Sequence, residues 1–342
     1  MLSFGVIVCT YNRRDILEQC LEAWSQANQR PDQFIVVDAT AGAESYKNTL
    51  LSKFPKLFAQ PESQYIVTKQ PGLTRQRNLG LAAIKTDIVC FADDDTFVRP
   101  NYIEKILTVF ERDTNGLIGG VNGVAVGQFD RWPQRNYRAF RNYIRHHFGS
   151  LIQRIHVPKQ ETQVFTPLPT EFKHLRLIYI DRLWGANMNF RTDLVRDLRF
   201  DESFSRYGLY EDVDMSVRVG KTHKLVCCLD AELEHDHSLG ETTRPSDVKY
   251  FLTSWLNSAY VIEKLFSEEA SRAAHRRYFR AISLVSKLMP KKFRNQKFRV
   301  FGNQELQDMA QSHMDRLQAC MTSTDLEKTF VQLQEEIFGL GA

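Results

Sequence analysis

The sequence predicts an α/β fold: a mixed, mostly parallel sheet flanked by helices, with an α-helical C-terminal extension. Three observations predict it. Over roughly the first 120 residues, short apolar runs alternate with stretches of helical period, as βαβ units do. Polar and charged clusters follow those runs directly, where the carboxyl ends of parallel strands meet their loops. After His237 the pattern is helical to the end, which sets a boundary near residue 240, with one domain over 1–240 and a helical region over 241–342.

Strands are expected at Phe4–Cys9, Gln33–Asp38, Gln64–Thr68 and Asp87–Ala92, because each is a short β-branched or aromatic run. Helices are expected between them, over Arg14–Ala27, Glu44–Lys53 and Thr74–Ile84. Leu17, Cys20, Leu21 and Trp24 give the first its apolar stripe. Pro100 suits the first turn of a further helix. Gly116–Gly127 has no G-x-G-x-x-G opening a helix and reads as strand and turn, and Gln128–Thr170 reads as long polar and aromatic loops. Order returns with a helix from Tyr210 and a strand at His223–Leu229. Helices near Ser246–Phe266, Glu268–Lys287, Glu305–Gln318 and Asp325–Phe338 complete the chain.

The chain has 342 residues, 43% hydrophobic and 25% charged, as an ordinary globular protein does. No stretch approaches the ~20 consecutive apolar residues of a membrane span, and the N-terminus enters its first strand without a basic leader. The six cysteines lie in apolar strand-like or helix-like runs with no C-x-x-C pair, which points to a reducing, cytoplasmic setting. The net charge of +4 is unevenly spread. Residues 271–300 hold ten Lys or Arg and no acid, leaving 35 basic against 41 acidic residues elsewhere. A body with that balance is a poor nucleic-acid binder. The basic segment, interleaved with Tyr278, Phe279, Phe293 and Phe298, suits an anionic membrane surface. The segment reads equally as a solvated helical face or an intramolecular partner for the acidic body, so the expected setting is the cytoplasm, with a peripheral place at the inner face of the membrane as one of these alternatives.

The chemistry-bearing feature is Asp93-Asp94-Asp95, directly after the apolar run Ile88–Ala92. Three adjacent acids repel one another, and no strand end needs them. A hard divalent cation removes that repulsion. Further clusters fall at equivalent loop positions. Thr10-Tyr11-Asn12-Arg13 offers hydroxyls, an amide, a guanidinium and a stacking ring for a nucleoside. Asp38 ends the second strand, where an acid accepts from a ribose or a base N–H. Arg75 and Arg77 at a helix start suit a diphosphate, since guanidinium binds phosphate as a fork. Gly185-Ala186-Asn187 puts small residues before a strand, permitting close approach of a ligand. Glu211-Asp212-Val213-Asp214 sets acids in a first helical turn, where one projecting into a cleft is a general base. In Glu234-His235-Asp236-His237 the two His share one face of a strand and can hold a metal.

The order and spacing of Val8–Arg13, Val36–Asp38, Gly72–Gly80, Phe91–Asp95, Gly185–Arg191 and Phe200–Asp214 resemble the family 2 glycosyltransferases of GT-A, Rossmann-like fold. The resemblance spans residues 4 to 240. It implies inverting transfer from a nucleotide-diphosphate sugar, UDP-sugar favoured over GDP or dTDP, to a hydroxyl of a glycan or lipid-linked acceptor, as in surface polysaccharide synthesis. Carried across, Thr10, Tyr11, Asn12, Asp38, Arg77 and Asn187 bind the donor, and Asp93 and Asp94 contact its ribose and diphosphate side. Asp95 and His235, or else His237, ligate Mn²⁺ or Mg²⁺, and Asp212 is the base. Two departures stand out. Ala39-Thr40-Ala41 follows Asp38 where relatives often have a second acid or Gly-Ser. Gln128-Phe129-Asp130-Arg131-Trp132 matches the Q-x-x-R-W of processive synthases but precedes Asp212 instead of following it, and reads as a chance match. Two rivals are a sugar-1-phosphate nucleotidyltransferase, which needs a Gly-rich loop after the first strand, and a non-catalytic scaffold, against which Asp95 and Asp212 argue.

Overall fold

The computed structural model describes residues 1–126, 158, 169–205, 208–236, 247–288, 304–320 and 325–339. The matched Gln128–Trp132 run and His237 lie outside them. The described residues form two compact units. The first holds 1–126, 169–202 and 208–236, and the second holds 158, 203–205 and everything from 247 on.

In the first unit the strands are β1 (Phe4–Thr10), β2 (Gln33–Asp38), β3 (Gln64–Val67), β4 (Ile88–Asp93), β5 (Thr96–Val98), β6 (Ile118–Ala125), β7 (Leu177–Ile180), β8 (Asn187–Arg191) and β9 (Lys224–His235). They make one sheet ordered β3-β2-β1-β4-β8-β6-β9-β5, with β7 also on β9. β1 to β4 run parallel, and β8 is antiparallel to β4 and β6. The helices are α1 (Arg14–Ser25), α2 (Glu44–Lys53), α3 (Pro55–Phe58), α4 (Leu73–Ala83), α5 (Tyr102–Arg112), α6 (Thr192–Leu198) and α7 (Glu211–Gly220).

Both faces of the sheet are covered, so the interiors of β1, β2 and β4 are near-continuous apolar runs. Val6, Val8, Phe34, Val36, Ile88 and Cys90 face one layer with Trp24 and the apolar side of α5. Ile7, Ile35, Val37, Val89 and Phe91 face the other with Leu81, Phe190 and Met215. α4 lies tightly on β1, since a Cβ on Gly80 would sit 2.5 Å from Ile7 Cγ2.

Two strands differ from the sequence expectation. β9 runs on to His235 instead of stopping at Leu229. Ala231, Leu233 and His235 turn inward while Glu232 and Glu234 stay exposed, a period of two that the intervening acids disguise. β5, three residues long, pairs Thr96 with His235. That pairing carries the end of β9 to the end of β4.

The second unit contains α8 (Asp247–Leu265), α9 (Glu268–Leu288), α10 (Gln304–Ala319) and α11 (Leu326–Gly339). Tyr260 of α8 stacks on Phe330 of α11 at 3.8 Å, with Phe204 edge-on to both. Gln334 Nε2 donates to Ser203 O at 2.8 Å. No helix among the described residues is long and apolar enough to cross a membrane.

Candidate active site

Strand register sets the site. Thr10 pairs with Asp38 and Cys9 with Asp93, so β1, β2 and β4 end almost level. β8 runs the other way and begins opposite Ala92, which brings Gly185 and Ala186 to the same edge, where Asp93 N–H donates to Ala186 O at 3.2 Å. Gln76 of α4 ties the edge together, donating from Nε2 to Thr10 O and Val37 O, each at 2.9 Å.

Five carboxylates gather here, from Asp93, Asp94, Asp95, Glu211 and Asp212, against two guanidiniums. Arg13 forks onto the first group, with Nη1 2.7 Å from Asp94 Oδ1 and Nη2 2.8 Å from Asp95 Oδ2. Thr10 Oγ1 donates to Asp94 Oδ2 at 2.7 Å. The turn that presents Arg13 passes through Asn12 at φ +56°, a conformation Asn tolerates better than most residues, and Asn12 N–H donates to Thr40 Oγ1 at 2.7 Å. Arg77 is 1% exposed. It reaches Glu211 Oε1 at 2.7 Å, Asp93 Oδ1 at 3.1 Å and Gly185 O at 3.0 Å, with Phe200 under its guanidinium.

Burial lifts the Asp94 carboxyl to about 7 against the pull of Arg13 and Thr10. It lifts Glu211 to about 8, with Asp212 adding and Arg77 opposing. Asp95 goes the other way. Burial works against its charge, but His235 and Arg13 together hold it down at about 2.

Asp93, Asp95 and His235 each offer a ligand atom, and these atoms lie within 4.8 Å of one another. Asp95 Oδ1 is buried, 3.0 Å from His235 Nε2, and receives no well-aligned hydrogen bond. The two carboxylates suit Mn²⁺ or Mg²⁺ in hardness, the imidazole, a borderline donor, favours Mn²⁺ of the two, and the under-satisfied Asp95 oxygen is what such an ion would complete. The donor set therefore fits a divalent cation. Trp184 packs edge-on against the His235 ring at 4.8 Å and fixes its orientation.

Asp212 opens α7 and is half-buried. Its Oδ2 accepts from Gly185 N–H at 3.0 Å and its Oδ1 from Val213 N–H at 2.8 Å. Burial raises its pKa, with Arg77 and these two donors opposing. A Cβ on Gly185 would approach Asp212 Oδ2 and Glu211 Oε1 to 3.3 Å, so glycine permits this closeness.

The remaining predicted residues divide. Tyr11 is 43% exposed, its ring open to a ligand. Asp38 is wholly buried. Its carboxylate accepts from Tyr46 Oη at 2.7 Å, Tyr65 Oη at 2.6 Å and Thr40 N–H at 2.8 Å. Asn187 is also wholly buried and turned into the sheet, its Oδ1 accepting from Gly123 N–H at 2.7 Å and Tyr102 Oη at 3.1 Å. Three participants went unassigned at the level of sequence: Gln76, the fork of Arg13 and the ligand position of Asp93. Asp93 carried a signal, since it shares its strand-end run with Asp95.

The three-layer domain is of the GT-A class, with an acidic site at the ends of its strands. The glycosyl transferase family 2 model matches residues 5–175, and the chain belongs to that family of glycosyltransferases. It is 29% identical over 111 residues to the uncharacterized glycosyltransferase YwdF of Bacillus subtilis, covering 32% of this chain and 39% of that one. It is 23% identical over 178 residues to the amylovoran biosynthesis glycosyltransferase AmsE of Erwinia amylovora, covering 52% and 59%. The matches thus span about two to three fifths of these relatives. The fold is shared with S. aureus TarS 1–349, at a TM-score of 0.50 and 14% identity, over 98% of this chain and 91% of that one.

Proposed function

We propose that this protein transfers a sugar, with inversion, from a nucleotide-diphosphate donor to a hydroxyl of a glycan or lipid-linked acceptor. The observation that carries the reading is the pairing of two acidic features at one sheet edge. One is the Asp93–Asp95–His235 group with its under-satisfied Asp95 oxygen. The other is the half-buried Asp212 carboxylate held by Gly185 N–H.

Asp212 takes the proton from the acceptor hydroxyl as that oxygen attacks the anomeric carbon from the face opposite the diphosphate. Its neighbour Glu211 is buried against Arg77 at 2.7 Å, which favours Asp212 over Glu211 as the base. Arg13 holds Asp94 and Asp95 in place and favours the charged form of each. Tyr11 offers an exposed ring for the nucleobase. A divalent ion held by Asp93, Asp95 and His235 would supply Lewis-acid stabilisation to the departing diphosphate. A UDP-sugar is the first donor to test, with GDP- and dTDP-sugars after it. The amylovoran role in the name of AmsE supports a place in surface polysaccharide synthesis.

Calorimetric titration of UDP, GDP, dTDP and CDP, with and without Mn²⁺, tests the donor. Metal-dependent binding of one nucleotide supports the reading, and binding of none by the folded protein overturns it. Asp212→Asn should lower transfer by about 10²–10⁴-fold while nucleotide binding persists. Loss of binding instead would remove Asp212 from the role of base.

A further inference from the structure

The second unit carries a charge feature that sugar transfer does not use. α9 is held on α8 by its inner face. Ser271, Ala274, His275 and Tyr278 are all buried. Ser271 Oγ donates to Glu263 Oε1 at 2.6 Å, and His275 Nε2 lies 2.8 Å from the same oxygen. Tyr278 stacks near-parallel on Trp255 at 5.9 Å, and Phe279 meets that ring edge-on at 5.2 Å. These contacts fix how the helix is rotated. Arg272, Arg276, Arg277 and Arg280 then project from the opposite side, and all four are exposed.

At about 100° per residue the four arginines span an arc of roughly 140°, diametrically opposite the buried stripe. Arg272 pairs with Glu268 one turn back. Among the described residues, no carboxylate pairs with Arg276, Arg277 or Arg280. Three such cations beside the Arg272–Glu268 pair repel one another, and a buried glutamate pins the helix so that they cannot turn away. Such a face is stabilised by a plane of negative charge.

We propose that this face of α9 docks the protein on an anionic lipid bilayer. Charge complementarity selects an anionic partner, and two observations favour lipid. The arc of exposed arginines covers roughly 140° of one helix, broad enough to meet a headgroup layer, and the acid-free sequence continues to residue 300 with Leu288, Met289, Phe293 and Phe298 among its basic residues. An anionic nucleic acid would meet a chain whose other residues number 35 basic against 41 acidic.

The test is co-sedimentation of the full chain with phosphatidylcholine vesicles, with and without phosphatidylglycerol, at low and high salt. Binding should need the anionic lipid and weaken as salt rises. Changing all four arginines to glutamine should lower the partition coefficient roughly a hundredfold, whereas changing all four to lysine should largely preserve it. The sites are exposed, and unchanged circular dichroism verifies folding. Equal binding to pure phosphatidylcholine, full binding by the glutamine variant, or binding to an oligonucleotide with none to vesicles would each overturn the proposal. Sedimentation requires no turnover, so it succeeds or fails independently of the reading of the active site.

Discussion

Replacing Arg77 with methionine probes the electrostatic centre of the site. Methionine keeps most of the side-chain volume and removes the charge. Glu211, 6% exposed, then loses the guanidinium 2.7 Å away, and Gly185 O loses its donor at 3.0 Å. Asp93 is less affected, because a third of its side chain reaches water. Breaking one side of a buried ion pair costs about 3–5 kcal/mol, chiefly because the remaining charge is stranded. In a domain of this size about 1 kcal/mol moves Tm by about 2–4 °C, so the midpoint should fall by roughly 6–20 °C. Glu211 offers partial relief by holding a proton. Its pKa is already raised to about 8, and without Arg77 it rises further. A carboxyl raised in the folded state contributes stability that is present below its unfolded value and lost as pH rises through its folded value. In the variant that loss is deeper, so the deficit relative to the parent should widen as pH passes about 8. Thermal melts followed by circular dichroism on either side of that pH read the effect directly. Arg77→Met with Glu211→Gln should recover most of the lost midpoint. An unchanged melt, or a deficit that ignores both pH and the second substitution, would refute the pairing as a structural element.

Four further outcomes are expected. Asp95→Asn and His235→Ala should each weaken Mn²⁺ binding at least about tenfold by electron paramagnetic titration, the usual scale for losing a ligand or its support, with the fold intact. Asp38→Asn should cost about 1.5–3 kcal/mol in thermal unfolding, because Tyr46 and Tyr65 lose a charged acceptor. If its nucleotide affinity barely moves, Asp38 acts through those two rings. Gly80→Ala should destabilise by about 1–3 kcal/mol despite alanine's better helix propensity, since the new methyl meets Ile7 Cγ2 at 2.5 Å, and Ile7→Val should relieve part of it. The rate of transfer should rise with pH through a limb set above the ordinary carboxylate range, because burial raises Asp212. That limb should be absent from the residual activity of Asp212→Asn.

What was legible in the sequence follows from the range of the interactions involved. β1, β2 and β4 are buried on both faces, so their interiors are apolar and the run announces itself. The acids after Ala92 contradict that run within three positions, and a local contradiction is visible in one dimension. Arg77 shows the opposite case. Its spacing at the start of a helix suits a diphosphate, but Glu211 lies 134 residues away in sequence and takes one end of its guanidinium. Asp38 likewise stands where a nucleoside would be met, but Tyr46 and Tyr65, brought over it by α2 and β3, occupy its Oδ2 and Thr40 N–H its Oδ1. In each case the residue type and its place at the sheet edge were readable, whereas its partner was not. A charged side chain at a strand end has the same signature whether it faces a ligand or another charge of the chain. The distinction appears only when carboxylates and guanidiniums are counted together. Here two guanidiniums serve five carboxylates, so the edge keeps an excess of negative charge although Arg13 reaches Asp94 and Asp95 and Arg77 reaches Asp93 and Glu211. Asp93, Asp95 and Asp212 are the positions we propose for a cation and for an acceptor's proton.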